Sequence, residues 1–204
     1  MKLYGEAMPA PNPRRVRIFL AEKGLEVPEV HIGLRQGGHR QPEHLARNSL
    51  GQVPVLELDD GTTISETVAI CRYFEALHPT PPLFGVTALE QAQVEMWSRR
   101  IELRLMVPIS MFWRHAHPFT AHLLKQYKDF GESNRETVDK TLMWLDRELS
   151  DGRPYLAGET YTMADIVGQT TLDFADFIGL PTPAEARNVL AWRERMAARP
   201  TAGA

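Results

Sequence analysis

The sequence predicts two structural classes in one chain, an α/β domain followed by an all-α domain. Short apolar segments alternate with helical segments as far as residue 77, whereas only helical segments follow residue 88. A stretch rich in proline and glycine, residues 78–85, separates the two parts. Alternating strands and helices are typical of an α/β layer, and successive helices are typical of a bundle. We therefore expect domains at 1–79 and 88–204.

The first part is expected to contain four short strands and three helices. Pro13 suits the first turn of a helix, where a missing N–H is tolerated, and Gly24 suits its end. The strand–helix–strand order at the N-terminus predicts a parallel pair with a right-handed crossover. The predicted strands are 2–5, 27–32, 53–58 and 62–64, and the helices start near Pro13 and span 41–48 and 65–77.

The second part is expected to be helical throughout. Pro108 should kink the first of its helices, and Gly131 should break the segment after it. Thr162 and Asp165 form a Thr-x-x-Asp capping box at the start of a strongly apolar helix, with a structural role. The predicted helices are 89–116, one or two within 119–149, 163–178, and a polar helix after Pro183.

Composition excludes several classes of function. The net charge of −3 leaves no electrostatic footprint for nucleic acid or an anionic membrane. No run of about 18 apolar residues is present, so no membrane span is expected, and the N-terminus lacks the apolar run of a signal peptide. The single cysteine, Cys71, excludes an intrachain disulfide and is expected to be a buried structural thiol. These features predict a soluble cytoplasmic protein.

The segment Gly51-Gln-Val-Pro-Val-Leu56 places a proline at the entry to a strand. Proline cannot donate to a strand ladder. A cis Val53–Pro54 bond would turn the chain and leave the backbone of Val53 open to an extended peptide ligand. The alternative is a trans proline on an edge strand.

The segment Ile64-Ser-Glu-Thr-Val-Ala-Ile-Cys71 begins a helix directly after a strand. The free N–H groups at a helix N-terminus favour a carboxylate. Glu66 could bind a ligand ammonium while Thr67 and the helix N–H groups bind the neighbouring carboxylate, which together would hold an α-amino acid. The alternative is helix capping with a solvated glutamate.

GQVPVLELDDGTTISETVAICRYFE, followed later by YLAGETYTMADI, resembles the cytosolic glutathione S-transferase family of bacterial type over nearly the whole chain. The resemblance implies a thioredoxin-like N-terminal domain, a C-terminal helical-bundle domain, a homodimer, and glutathione as co-substrate without a metal. It also implies a cis Val53–Pro54 bond. The glutathione-binding residues that it implies are His39, Gln52, Val53, Pro54, Glu66 and Thr67.

The chain departs from the family at the catalytic helper. The family usually has a Tyr, Ser or Cys in the loop after the first strand, but residues 7–13 contain no hydroxyl or thiol. The chain is similar in this to an atypical branch in which residues of the long helix reach a water beside the thiol. The candidates here are Asn12, together with the dipole of the helix starting near Pro13, and His115, with His117 second. Alternatively, the two histidines are incidental to a solvated helix end.

The resemblance implies a transferase that adds the glutathione thiolate to hydrophobic electrophiles, with a function in detoxification. Met111, Phe112 and Trp113 are the candidate electrophile-binding residues, although some of them must serve helix packing or a dimer core. Two alternatives stay open. One is a glutathione-dependent peroxidase, isomerase or dehalogenase, and the other is a non-catalytic binding module that keeps the fold.

Overall fold

The computed structural model describes residues 1–6 and 10–204. The chain forms two compact units, the first of residues 1–83 with 201–204 and the second of residues 84–200. The last four residues lie with the first unit, where Arg14 Nη2 donates to the carbonyl of Ala202 at 2.7 Å and the Thr201 hydroxyl bonds Glu22. The boundaries expected from the sequence place these four residues in the helical part instead.

The first unit is a four-stranded sheet with three α-helices, as expected of a thioredoxin-like domain. The strand order is β2-β1-β3-β4, with β1 and β2 parallel and the other pairs antiparallel. The parallel pairing of β1 and β2 is as predicted. The elements are β1 Lys2–Gly5, α1 Pro11–Glu22, β2 Glu29–His31, α2 Pro42–Arg47, β3 Val55–Glu57, β4 Thr63–Ser65 and α3 Thr67–Leu77, with 3-10 turns at Leu34–Gln36 and Gly38–Arg40.

The strand register brings three connections to one end of this sheet. Tyr4 pairs with Val55 between β1 and β3, and Val55 pairs with Ser65 between β3 and β4. Therefore the last residue of β1, the first residue of β3 and the last residue of β4 lie at the same end of the sheet. The segments that continue from these strand ends are the connection to α1, residues 51–54, and the start of α3.

The second unit consists of helices packed around a shared apolar core. Its elements are α4 Ala88–Ile101, a π-helical turn Glu102–Met106, α5 Val107–His115, α6 Lys128–Glu148, α7 Met163–Phe177 and α8 Arg187–Ala197, with 3-10 turns at Pro118–Thr120 and Leu149–Asp151. Fully buried side chains include Leu105, Ile109, Leu142, Leu145, Ile166 and Trp192. Within the described ranges, none of the helices combines the length and the apolar character needed to cross a bilayer.

The long helix is interrupted where Pro108 predicted a disturbance, and the interruption is a π-helical turn. Proline has no N–H for the carbonyl four residues earlier, which belongs to Arg104, and its ring clashes with that carbonyl. A turn with i to i+5 bonding widens the backbone there. The helix therefore continues as α5, with Pro108 in its first turn.

The predicted break at Gly131 is wrong, because α6 runs through this glycine without interruption. A Cβ at this position would lie 2.7 Å from the backbone nitrogen of Ala116 and 2.7 Å from the carbonyl carbon of His115. Gly131 therefore permits close packing of α6 against the end of α5, and it does not end a helix.

The predicted capping box is confirmed at the start of α7. Asp165 Oδ2 accepts from the backbone N–H of Thr162 at 3.0 Å and from its hydroxyl at 3.1 Å. Asp165 Oδ1 accepts from Leu156 N–H at 2.8 Å and from Trp192 Nε1 at 3.0 Å. The carboxyl group thus joins a loop, the α7 N-terminus and α8.

Candidate functional site

Val53 lies two residues before β3, at the sheet end described above. Continuing the β3–β4 register by two residues places Val53 opposite Thr67 at the start of α3. Within the described part of the chain, neither the N–H nor the C=O of Val53 takes part in a backbone hydrogen bond. The Val53–Pro54 bond is cis, as the resemblance implies. The arrangement leaves the backbone polar groups of Val53 available to a ligand.

Gly51 packs closely against the backbone of His39, which brings the next residue, Gln52, near His39. Gly51 has φ +61°, and a Cβ at this position would lie 2.9 Å from the carbonyl oxygen of His39, so a side chain cannot be accommodated without displacing the backbone. Gln52 is exposed, whereas His39 is half-buried and its Nδ1 has no hydrogen-bond partner among the described residues. Burial lowers the pKa of His39, and the neighbouring charges of Arg40 and His44 lower it further.

Glu66 is the N-cap residue of α3 and has φ +69° and ψ 121°. A residue other than glycine in such a backbone conformation costs about 1–3 kcal/mol of stability. Residues with strained backbones are concentrated at functional sites. The Glu66 side chain is exposed and makes no capping hydrogen bond, while Thr67 behind it is buried. The first-turn N–H groups of α3 are therefore adjacent to a free carboxylate.

The N-terminus of α1 is built from Pro11, Asn12 and Pro13, with Ala10 as an N-cap without a side-chain hydrogen bond. The N-cap carbonyl accepts the first intrahelical bond, which in an i to i−4 ladder comes from Arg14. The two prolines donate nothing, so Asn12 supplies the N–H of this turn, which has no backbone acceptor among the described residues. Its half-buried side chain has no hydrogen bond to any described residue.

The structure describes only part of the connection between β1 and α1. Ala7, Met8 and Pro9 lie outside the described residues, so the expectation for the loop at 7–13 concerns their sequence alone. On the described side, Arg17 Nη1 donates to the carbonyl of Glu6 at 3.0 Å and to the carboxylate of Glu29 at 3.1 Å. Helix α1 thus holds the end of β1 in place.

The two candidate histidines of the second unit differ in their contacts. His117 Nδ1 accepts from the N–H of Phe119 at 3.2 Å, and burial lowers the pKa of its ring. His115 ends α5 beside the rings of Tyr127 and Phe130, with centroid distances of 5.7 and 5.5 Å. Its Nδ1 is buried and unpartnered within the described ranges. His117 therefore serves the local turn, and His115 keeps a ring nitrogen free.

Met111, Phe112 and Trp113 lie together on α5. Phe112 is buried, with the Arg135 guanidinium 4.6 Å from its ring centroid. Trp113 is half-buried and stacks on Phe119 at 5.3 Å. Met111 and Trp113 are the more accessible of the three.

Cys71 is excluded as a nucleophile and is the structural thiol that its sequence context predicted. Its side chain is fully buried in α3, and burial raises the pKa of the thiol well above its ordinary value. Only the thiolate is nucleophilic, so this group stays inert near neutral pH.

Two positions at the site were missed by the sequence analysis, His44 and Asn48. Both side chains bond the carbonyl oxygen of Gln52, at 3.0 and 3.1 Å. The only sequence signal was a histidine and an asparagine around the end of a short helix, and their common acceptor is visible only in the folded chain.

A separate cavity of about 410 Å³ lies on the second unit, lined by Arg100, Arg104, Lys140, Thr141 and Trp144. It contains none of the predicted site residues. Among the described residues, no group of three or more His, Cys, Asp or Glu side chains is arranged to hold a metal ion.

Family models for the two parts of the chain match in the order that the fold displays. Residues 10–77 match the N-terminal domain of glutathione S-transferase, and residues 103–200 match its C-terminal domain. Glutathione S-transferase 2 of Saccharomyces cerevisiae is 43% identical over 195 residues, covering 94% of this chain and 83% of the yeast protein. The chain belongs to the glutathione S-transferase family. It is therefore an enzyme of the glutathione S-transferase class.

Two further comparisons define this similarity. The crystal structure of Gtt2 from Saccharomyces cerevisiae has a TM-score of 0.93 and 42% identity, covering 100% of this chain and 99% of that one. Maleylacetoacetate isomerase of Pseudomonas aeruginosa is 41% identical over 95 residues, which are 46% of this chain and 44% of the isomerase. The first comparison covers both units of this transferase, whereas the second covers less than half of it.

Proposed function

We propose that this glutathione S-transferase conjugates the glutathione thiolate to small hydrophobic electrophiles, as a cytoplasmic detoxification enzyme. One observation carries the proposal. The open backbone of Val53, the N-terminus of α3 and the N-terminus of α1 converge at one end of the sheet. A tripeptide with an α-amino acid at one end and a central thiol matches these three features.

The proposed binding mode follows from the chemistry of each group. Val53, preceding Pro54, pairs its N–H and C=O with the cysteinyl unit, as in strand addition. Glu66 binds the γ-glutamyl ammonium, and the N–H groups at Thr67 bind the adjacent carboxylate. Gln52 and His39 face the glycyl carboxylate.

The thiol then requires stabilisation as thiolate without a hydroxyl helper. The dipole at the N-terminus of α1 contributes about 0.3–1 kcal/mol, or up to ~2 kcal/mol when partly buried. Because 1.4 kcal/mol corresponds to about one pKa unit, this lowers the thiol pKa by roughly one unit. Asn12 adds an amide donor, and His115 is the candidate for a water-mediated contribution. Met111, Phe112 and Trp113 supply the apolar surface for the electrophile.

The test is a glutathione-affinity measurement combined with three activity assays. We expect binding of glutathione and conjugation to a chloronitrobenzene electrophile. Peroxide reduction without conjugation would replace conjugation with a peroxidase function. Isomerisation of maleylacetoacetate is the second candidate, favoured by the partial match to the Pseudomonas aeruginosa isomerase. Binding without any turnover would identify a binding module.

We expect Asn12→Ala and His115→Ala each to reduce conjugation partially, and the double variant to lose most of it. A neutral amide donor contributes about 0.5–1.5 kcal/mol, roughly one pKa unit or less. The thiolate absorbance of bound glutathione, titrated against pH, measures the effect directly. His117→Ala is the matched control. Identical titrations of the wild type and the double variant would show that neither residue stabilises the thiolate.

We propose that the enzyme is a homodimer that uses an exposed apolar stripe on its second unit. Leu89, Met96 and Leu103 follow one another at intervals of seven residues, about two helical turns, and are 68%, 40% and 63% exposed. Contiguous exposed apolar residues mark association surfaces, and a two-fold axis pairs such a stripe with itself.

We expect Leu103→Arg to convert the dimer to a monomer, because it places a charge within the stripe. Sedimentation equilibrium at micromolar concentration measures the mass. Phe177→Arg, which changes an exposed apolar residue outside the stripe, should leave the dimer intact. A wild-type monomer at these concentrations would contradict the proposal.

A further inference from the structure

Two buried side chains converge on one backbone oxygen next to Val53. His44 Nε2 lies 3.0 Å and Asn48 Nδ2 lies 3.1 Å from the carbonyl oxygen of Gln52. A carbonyl oxygen only accepts, so Nε2 carries a proton and both groups donate. His44 is 2% exposed and Asn48 is 7% exposed. The carbonyl is therefore held by two donors that are shielded from water.

Asn48 also ties the rest of the turn to the end of α2. Its Oδ1 accepts from the N–H of Leu50 at 3.1 Å, and its own carbonyl accepts from the N–H of Gly51 at 2.8 Å. Every residue from 50 to 52 is thereby bonded to Asn48. The turn before Val53 is a braced element and not a free loop.

The orientation of the Gln52 carbonyl determines that of the Val53 N–H. The two groups belong to one planar peptide unit, and in a trans peptide they point in opposite directions. Because the carbonyl is directed at His44 and Asn48, the Val53 N–H is directed away from α2. This N–H has no backbone acceptor among the described residues.

We propose that His44 and Asn48 are positioning residues that orient the Val53 backbone for glutathione. The inference rests on the proposed function, in which Val53 pairs with the cysteinyl unit. Holding the peptide plane before the ligand arrives removes part of the ordering cost of binding. The two residues therefore act on the affinity for glutathione and not on the chemical step.

The sharpest test compares two amides at position 44. The side-chain nitrogen of glutamine reaches the place of histidine Nε2, whereas that of asparagine reaches only the place of Nδ1. We expect His44→Asn to raise the KM and Kd for glutathione about tenfold, the effect of one lost hydrogen bond to a buried acceptor. The kcat and the KM for the electrophile should stay within about twofold. His44→Gln should restore most of the affinity.

Asn48→Asp is the second variant, since it keeps the acceptor for Leu50 N–H and replaces the donor with an oxygen that repels the Gln52 carbonyl. It should weaken glutathione binding by at least as much as His44→Asn. Lys23→Met is the matched control, because it removes a fully buried side chain bonded to Glu75 and the carbonyl of His78, at the far end of α1. It should lower thermal stability without changing the KM for glutathione.

The outcomes separate this inference from the function on which it rests. If the wild type binds glutathione and Glu66→Ala weakens binding, but folded His44→Asn and Asn48→Asp bind as tightly as the wild type, the positioning inference is overturned alone. If His44→Gln fails to rescue, or Lys23→Met raises the KM equally, the effect is one of general stability and the inference is wrong. A wild type without affinity for glutathione overturns both.

Discussion

Replacing Glu66 by alanine should weaken glutathione binding roughly 10–100-fold while leaving the fold intact. The lost interaction is a charge-assisted hydrogen bond to an ammonium, worth about 1.5–3 kcal/mol, and 1.4 kcal/mol is a factor of ten in affinity. Stability should be preserved, because the Glu66 side chain is exposed and makes no capping hydrogen bond. Calorimetry of glutathione binding and thermal unfolding measure the two effects separately.

Two further substitutions isolate the charge and the backbone strain. Glu66→Gln keeps the shape and removes the charge, so it should lose most of the affinity that alanine loses. Glu66→Gly removes the strain of the positive φ, so it should raise the free energy of unfolding by about 1 kcal/mol while weakening glutathione binding. The matched control is Glu26→Ala, an exposed glutamate of the same unit. Unchanged affinity in both Glu66→Ala and Glu66→Gln would remove this residue from the site.

The parts of the fold that the sequence predicted are those determined by local chemistry. Thr162 and Asp165 identify the start of α7 within three residues of chain. The parallel β1–β2 pair follows from the strand–helix–strand order at the N-terminus. Each of these outcomes depends on residues that are close in sequence.

The parts that the sequence did not predict depend on contacts between distant residues. Glycine is a residue type that commonly ends helices, so Gly131 suggested a break. In the structure, its lack of a side chain instead allows α6 to pack against Ala116. The convergence of His44 and Asn48 on Gln52 requires the turn after α2 to be folded. The capping-box pattern likewise contained no sign that Trp192, 27 residues away, completes the Asp165 site.

Replacing Asp165 by alanine should destabilise the protein by about 3 kcal/mol. The change leaves three N–H donors without an acceptor at a fully buried position, those of Leu156, Thr162 and Trp192, and each such group costs about 1–3 kcal/mol. Loss of the buried charge offsets part of that cost. For a chain of this size the unfolding midpoint should fall by about 10 °C. Asp176→Ala, on the same helix in an exposed pair with Arg193, should cost about 1 kcal/mol or less.

The pH dependence of stability distinguishes this buried carboxyl from an ordinary cap. Burial raises the pKa of Asp165 from 3.8 to about 6, so between these values the folded state holds a proton that the unfolded state releases. Its stabilising contribution is therefore complete below about pH 4 and declines as the pH rises through about 6. Protonation is compatible with the contacts, because the Thr162 hydroxyl can rotate to accept from the carboxyl group. Chemical denaturation of the wild type and of Asp165→Asn from pH 4 to pH 8 measures the difference, which should shrink with rising pH. A difference that grows over this range would show that the four hydrogen bonds outweigh burial and hold the carboxyl pKa below its ordinary value.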